Sequence, residues 1–183
     1  MLFRSILPSP FEVLRDAHDY LPTNLTHHIG LTLGRLSLGF SVAILLGFAV
    51  ALFGYVLKVQ RSAYGLMSAI QVIPGTILGI ILLLIFGFGN VAPIALVAIL
   101  VMPTVVLNMT AGLENRKEQQ EQYLKSIGAK PNMILTHVYL PAIIPSAHSS
   151  LSLGFSLAIK VIVMGEYIAA QDGDRKSTRL NSS

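Results

Sequence analysis

Glu114, Arg116, Lys117, Glu118, Glu121, Lys125 and Lys130, interleaved with Gln119, Gln120 and Gln122, crowd into one stretch of an otherwise nearly uncharged chain. The 52 residues before it, Ser62 to Leu113, contain no Asp, Glu, Lys or Arg, and neither does Pro131 to Ile159 after it. Such a cluster can make ion pairs and hydrogen bonds to a protein surface, and Glu121 with Lys125 at i,i+4 suits a helix. Elsewhere polar residues stand singly among apolar ones: Gln71, Asn108, Ser156 and Lys160. These can bond across helices or line a polar path. Covalent catalysis has little footing, because the apolar segments carry no Asp and only Glu166 near an end. No catalytic residue is assigned. The chain has no cysteine, His27 and His28 are adjacent, and His137 and His148 are isolated, so no metal site is expected.

The elements that must hold these residues are apolar runs. The chain is 53% hydrophobic and 12% charged with mean hydropathy +0.67, about half the charge of a typical soluble domain. Leu36 to Leu57 is a run of 22 uncharged residues. A bilayer core of about 30 Å needs roughly 20 apolar residues as helix, so this run crosses once. The 52-residue run crosses twice, broken at Gly87 to Asn90, and the run from Pro141 crosses once more. The expectation is an all-α polytopic membrane protein with four spans, near 33–57, 64–86, 91–113 and 142–165. Each is helical because hydrocarbon leaves no partner for an open backbone. A soluble bundle would need polar outer faces that these segments lack. Ala43, Gly47 and Ala51, and then Gly75 and Gly79, recur every four residues and predict close helix packing. Pro74 and Pro103 predict kinks. Lys160 lies 18 residues after Ala142, about 27 Å along a helix, which predicts that it snorkels to the outer interface.

Orientation follows from Lys and Arg in the short loops. Lys58 and Arg61 in the first loop, and Arg116 to Lys130 in the third, place both in the cytoplasm, and the uncharged Gly87 to Asn90 turn faces outward. Residues 1–32 are then an extracytoplasmic segment with no cleavable signal. The last ten residues, DRKSTRLNSS, are the conceptual translation of a sequencing-adaptor oligonucleotide, so 174–183 is expected to be a non-native tail. The tail holds three of the Lys/Arg and one Asp; without it the formal charge falls from +4 to +2.

The segment Gln122-Tyr123-Leu124-Lys125-Ser126-Ile127-Gly128, then nine residues, then Val138-Tyr139-Leu140-Pro141, resembles the cytoplasmic loop of binding-protein-dependent ABC transporter permeases. That signature reads Glu-Ala-Ala, three residues, Gly, nine residues, Ile-x-Leu-Pro. Gly128, Leu140 and Pro141 match in register, Val138 replaces Ile, and the opening triplet departs, with Glu121 one position earlier. Leu7 to Pro10, Thr32 to Arg35, Ile73-Pro74, Phe86 to Gly89 and Gly165-Glu166 are similar to the nitrate/sulfonate/taurine branch, over residues 7 to about 173. The resemblance implies a MetI-like permease fold in 33–173, truncated at both ends. It implies a transport subunit of an ATP-driven importer in the bacterial cytoplasmic membrane, not an enzyme. No cofactor is implied for this chain, since ATP would be bound by a partner ATPase. Further implied partners are a second permease chain, with a homodimer expected, and an extracytoplasmic solute-binding protein. The bilayer is implied as surroundings and nucleic acid is not. The solute would be a small anion such as nitrate, sulfonate or taurine, or a vitamin precursor.

Within that family the loop 114–141 would couple to the ATPase through Glu121, Gln122, Tyr123, Leu124, Gly128, Ala129, Val138, Leu140 and Pro141, while Gln71, Asn108, Ser156 and Lys160 would line the solute path. Local chemistry agrees with a turn there. A helix from about Glu114 to Ile127 ends naturally at Gly128, where a left-handed residue is cheap. Pro131 blocks its continuation, and Pro141 is expected to reset the direction of entry into the membrane. A secondary transporter is the alternative, although it would need intramembrane ionisable residues for ion coupling and usually an inverted repeat; an inactive membrane fragment is another.

Overall fold

The computed structural model describes residues 25–180, with side chains described to Ile168. The readings on residues 1–24, and on the side chains of the 174–183 tail, lie outside the described residues. Eight helical pieces follow in order: α1 (Leu25–Val56), α2 (Gln60–Val72), α3 (Gly75–Phe86), α4 (Val91–Glu114), α5 (Glu118–Ser126), α6 (Pro131–Ile134), a π-turn (Leu135–Tyr139) and α7 (Leu140–Leu180). Contacts divide the chain into two units at Gly34 and Arg35. The described part of the first is the opening of α1, where the His27 and His28 rings meet edge to face at 6.1 Å.

In the second unit α4 is the central helix. Leu96, Val97, Val101, Val105, Val106 and Met109 are buried along it, and α7, α2 and α3 pack around it. The small residues of α1 let it approach closely. Ala43 and Ala51 are buried, and a Cβ on Gly47 would stand 2.7 Å from the Val105 side chain. Gly39 faces Ile94 and Val97 in the same way, two helical turns earlier. Two turns beyond Val105 along α4, Gly112 lies against Ser146 of α7. The outer faces carry exposed Leu38, Leu45, Leu84 and Ile85. So large an apolar surface is disfavoured in water and natural in lipid.

Three helices are long and apolar enough to cross a membrane: Leu25–Val56, Val91–Glu114 and the rod Pro131–Ile168. The expected span 64–86 is not one helix. It is the pair α2 and α3, bent by 89° at Ile73 and Pro74. Ile73 is extended (φ −72°, ψ 124°) and so is Pro74 (ψ 127°), because a proline disfavours helical geometry in the residue before it and lacks an N–H of its own. Pro103, by contrast, stays buried inside a continuous α4.

Two polar clusters mark opposite ends of the bundle. At one end Arg35 Nη1 bonds Glu166 Oε1 at 2.8 Å, and its Nε and Nη2 donate to Asn90 Oδ1 at 3.0 and 2.7 Å. At the other end the hydroxyls of Tyr55 and Tyr139 are 3.4 Å apart, with the Arg116 guanidinium 5.3 Å from the Tyr55 ring centre. Arg35 and Tyr55 are 20 residues apart in α1, about 30 Å of helix. The chain from Lys58 to Asn90 therefore connects one end to the other, so α2 and α3 together make one broken crossing. The grouping of loops one and three at one end matches the sequence reading.

Candidate functional site

The polar loop folds as a compact hook. α4 runs on to Glu114, so the first loop helix begins at Glu118 rather than near Glu114. It ends in a C-terminal cap in which Gly128 N–H bonds Lys125 O (3.1 Å) and Ala129 N–H bonds Leu124 O (3.0 Å). Gly128 takes φ +75°, the left-handed geometry this cap requires. Pro131 then starts α6 at its first position, where a missing N–H costs nothing. The expected change of direction at Pro141 is not found. α6, the π-turn and α7 run on as one rod, and Leu140 N–H reaches back to Leu135 O across the wider turn. That wider turn lies directly before the proline ring, whose usual clash is with the carbonyl four residues back.

Glu121 is the centre of the hook. It is only 6% exposed and accepts three hydrogen bonds: Lys125 Nζ to Oε1 at 2.6 Å, Arg116 Nε to Oε2 at 2.9 Å, and Tyr139 Oη to Oε1 at 3.1 Å. The Lys125 bond, and then those from Arg116 and Tyr139, outweigh burial and hold its carboxyl down to about 2. The same partner raises Lys125 and Arg116 above their ordinary values. Leu124 and Val138 are buried beneath it, whereas Gln122, Tyr123, Ile127 and Gly128 face outward. Leu140 and Pro141 are exposed on the rod, and Ala129 is half-buried. Thus the nine loop residues divide: Glu121, Leu124 and Val138 hold the hook to the bundle, and the others present a surface. Sequence reasoning missed Arg116, Tyr139 and Tyr55 as its supports. Only the i,i+5 spacing of Arg116 and Glu121 offered a local signal.

Gln71 and Lys160 come together, lining a cavity of about 450 Å³ at the α2–α3 elbow with Ile73, Gly75, Leu100 and Met164. Lys160, expected to snorkel to the outer interface, has an exposed side chain that lines this elbow. Gln71 Nε2 donates to Thr104 Oγ1 at 3.2 Å. Asn108 and Ser156 do not line this cavity. Asn108 sits in α4 with its buried Nδ2 unpartnered, and Ser156 bonds Ser152 O at 3.0 Å within its own helix. Among the described residues no group of His, Asp or Glu is arranged to hold a metal ion.

The profile of the family described as "Binding-protein-dependent transport system inner membrane component" matches residues 43–182. The chain belongs to this family. The match takes in α2 to α7, with the polar hook at its centre. This inner membrane component is 27% identical over 169 residues to the formylaminopyrimidine transport permease protein ThiX of Halalkalibacterium halodurans, covering 92% of this chain and 68% of the relative. It is 24% identical over 177 residues to the taurine transport system permease protein TauC of Escherichia coli, covering 91% and 63%. The chain thus spans about two thirds of the length of these permeases. Its fold is similar to a solved structure titled an amino acid ABC transporter with histidines, at TM-score 0.61 and 18% identity over 95% of this chain and 86% of that one. The permease is therefore a multi-pass, all-α membrane protein with the MetI-like fold expected from its sequence.

Proposed function

We propose that this permease is the membrane subunit of an ATP-driven importer and that the hook from Glu118 to Pro141 couples it to a separate ATPase. The observation that carries this reading is the junction at Glu121. A push on the exposed Tyr123, Ile127 and Gly128 passes through a buried carboxylate to Arg116 at the end of α4 and to Tyr139 at the foot of the α7 rod. A solvated connector has no need of a buried, triply bonded acid. The permease pairs with a second permease chain, a homodimer in the simplest case, and receives solute from an extracytoplasmic binding protein in the bacterial cytoplasmic membrane. ATP binds to the ATPase, not to this chain. The solute is a small organic or inorganic anion or a vitamin precursor, in keeping with relatives named for taurine and formylaminopyrimidine.

The test is ATP-dependent uptake by the full-length permease reconstituted with its ATPase. Gly128→Asp should abolish uptake while insertion and dimerisation persist. The new Cβ meets open space, so the substitution acts through left-handed strain of about 1–2 kcal/mol and a charge on the docking surface. Lys117→Ala, on an exposed position of the same loop, should leave uptake unchanged. Normal uptake by Gly128→Asp with the ATPase still bound would refute the coupling role.

A further inference from the structure

We infer that the π-turn Leu135–Tyr139 is a one-residue ratchet that gives the hook two postures: when the turn rewinds as plain α-helix, α6 turns by about 100° and advances about 1.5 Å. The inference rests on the coupling reading above and supplies the moving part of the hook.

A π-turn is one residue wound in excess into an α-helix, and such turns are frequent at functional sites. Here Leu140 N–H bonds Leu135 O, five residues back. Pro141 favours the wide form, because a proline ring clashes with the carbonyl four residues before it. It does not dictate that form, since Pro145 inside α7 and Pro103 inside α4 both lie in continuous helix. The plain helix is therefore within reach at Pro141 too, and rewinding passes the Leu140 bond from Leu135 O to Thr136 O. Side chains serve either form. Thr136 Oγ1 donates to Asn132 O at 3.0 Å, and His137 Nδ1 lies 2.9 Å from Met133 O. The segment that must move is short. α6 is the single turn Pro131–Ile134, and Lys130 before it is extended (ψ 149°), so the linker absorbs the advance. There is also space, because a cavity of about 460 Å³ lies between α5 and this turn, lined by Glu121, Lys125, Asn132, Ile134 and Leu135. The anchor is Tyr139, bonded to Glu121 where the turn meets α7. A one-residue step then brings Met133, which is exposed and outside the cavity lining, to the place of Asn132.

The test is disulfide trapping in the full-length permease reconstituted with its ATPase, and this sequence has no cysteine to interfere. In the nucleotide-free complex, Lys125→Cys should cross-link faster with Asn132→Cys than with Met133→Cys. The order should reverse when ATP and vanadate trap the complex. Deleting Thr136 removes the excess residue, so it should keep assembly and the first order but lose both the reversal and ATP-dependent uptake. Deleting Ser149, in regular helix, turns one part of α7 by about 100° against the other and should prevent assembly. Pro141→Ala removes the ring clash and should favour the Met133→Cys cross-link even without nucleotide. The ratchet is overturned by an order that is the same in both states, by a reversal that survives loss of Thr136, or by an unchanged order in Pro141→Ala. It is overturned as well if the Thr136 deletion assembles no better than the Ser149 deletion. Reversal without ATP-dependent uptake sinks the transport reading and leaves the ratchet, whereas uptake without reversal sinks the ratchet alone.

Discussion

Tyr139 donates its hydroxyl proton to Glu121 across 3.1 Å and so joins the loop helix to the turn that leads into the last span. The same hydroxyl lies 3.4 Å from that of Tyr55 at the end of α1. One buried carboxylate therefore gathers the ends of three membrane helices. Tyr139→Phe should keep the fold but loosen the hook by about 1–3 kcal/mol, the value of a hydrogen bond to a charged group. Faster tryptic cleavage after Lys117 in detergent would register the loosening; unchanged cleavage would show that the bond contributes nothing.

Glu121 also sets a pH dependence. Its carboxyl is held at about 2, below the ordinary 4.5, so the stability it adds is fully present above about pH 4.5 and is lost as pH falls towards about 2. Glu121→Gln should cost about 1–3 kcal/mol at neutral pH, because it takes the carboxylate from the partly buried Arg116 guanidinium, whereas the exposed Lys125 stays solvated. Thermal unfolding of the two proteins should differ above pH 4.5 and converge below it. A difference that persists unchanged to the acid limit would contradict the role of the charge.

Lys58 and Gly128 occupy equivalent positions in two helix caps. Lys58 has φ +58° and is followed by a Val59 N–H bond to Gly54 O (2.8 Å), as Ala129 bonds Leu124 O after Gly128. A lysine pays a steric cost there that glycine avoids. Lys58→Gly should raise stability by about 1 kcal/mol, or roughly 2–4 °C in Tm, and Gly128→Ala should lower it by a similar amount. A fall on Lys58→Gly would mean that its side chain has a role beyond the turn.

At the opposite end, Arg35 bridges Asn90 and Glu166. Its side chain and that of Glu166 are 23% and 27% exposed, so the pair is partly screened. A double-mutant cycle with Arg35→Met and Glu166→Gln should give a coupling of about 1 kcal/mol that shrinks in high salt. Additive single effects would show no coupling.

The assignment of sides is testable by labelling in intact cells. Cysteine at Gly89, which has open space around it, should react with an impermeant thiol reagent added outside. Cysteine at Lys117 should be protected. The reverse pattern would invert the orientation.

Much of this protein is local, and local features were legible. Uncharged runs long enough for a bilayer give helical crossings whatever surrounds them, because the lipid leaves the backbone no other partner. Gly128 before Pro131 announced its turn, since a left-handed residue and a missing N–H are properties of the residues themselves. Pro74 signalled a disturbance, but its size, an 89° elbow holding a cavity with Lys160, depended on how α3 seats against Leu96, Leu100 and Met164. Other contacts were decided only by the tertiary fold. Arg35 and Glu166 are 131 residues apart, and Tyr55 and Tyr139 are 84 apart. No run of neighbouring residues records the rotation of one helix about another. That rotation is set by small residues such as Gly47 and Gly112 sliding under Val105 and Ser146. It turned Glu121 from one charge in a polar stretch into the buried centre of the hook.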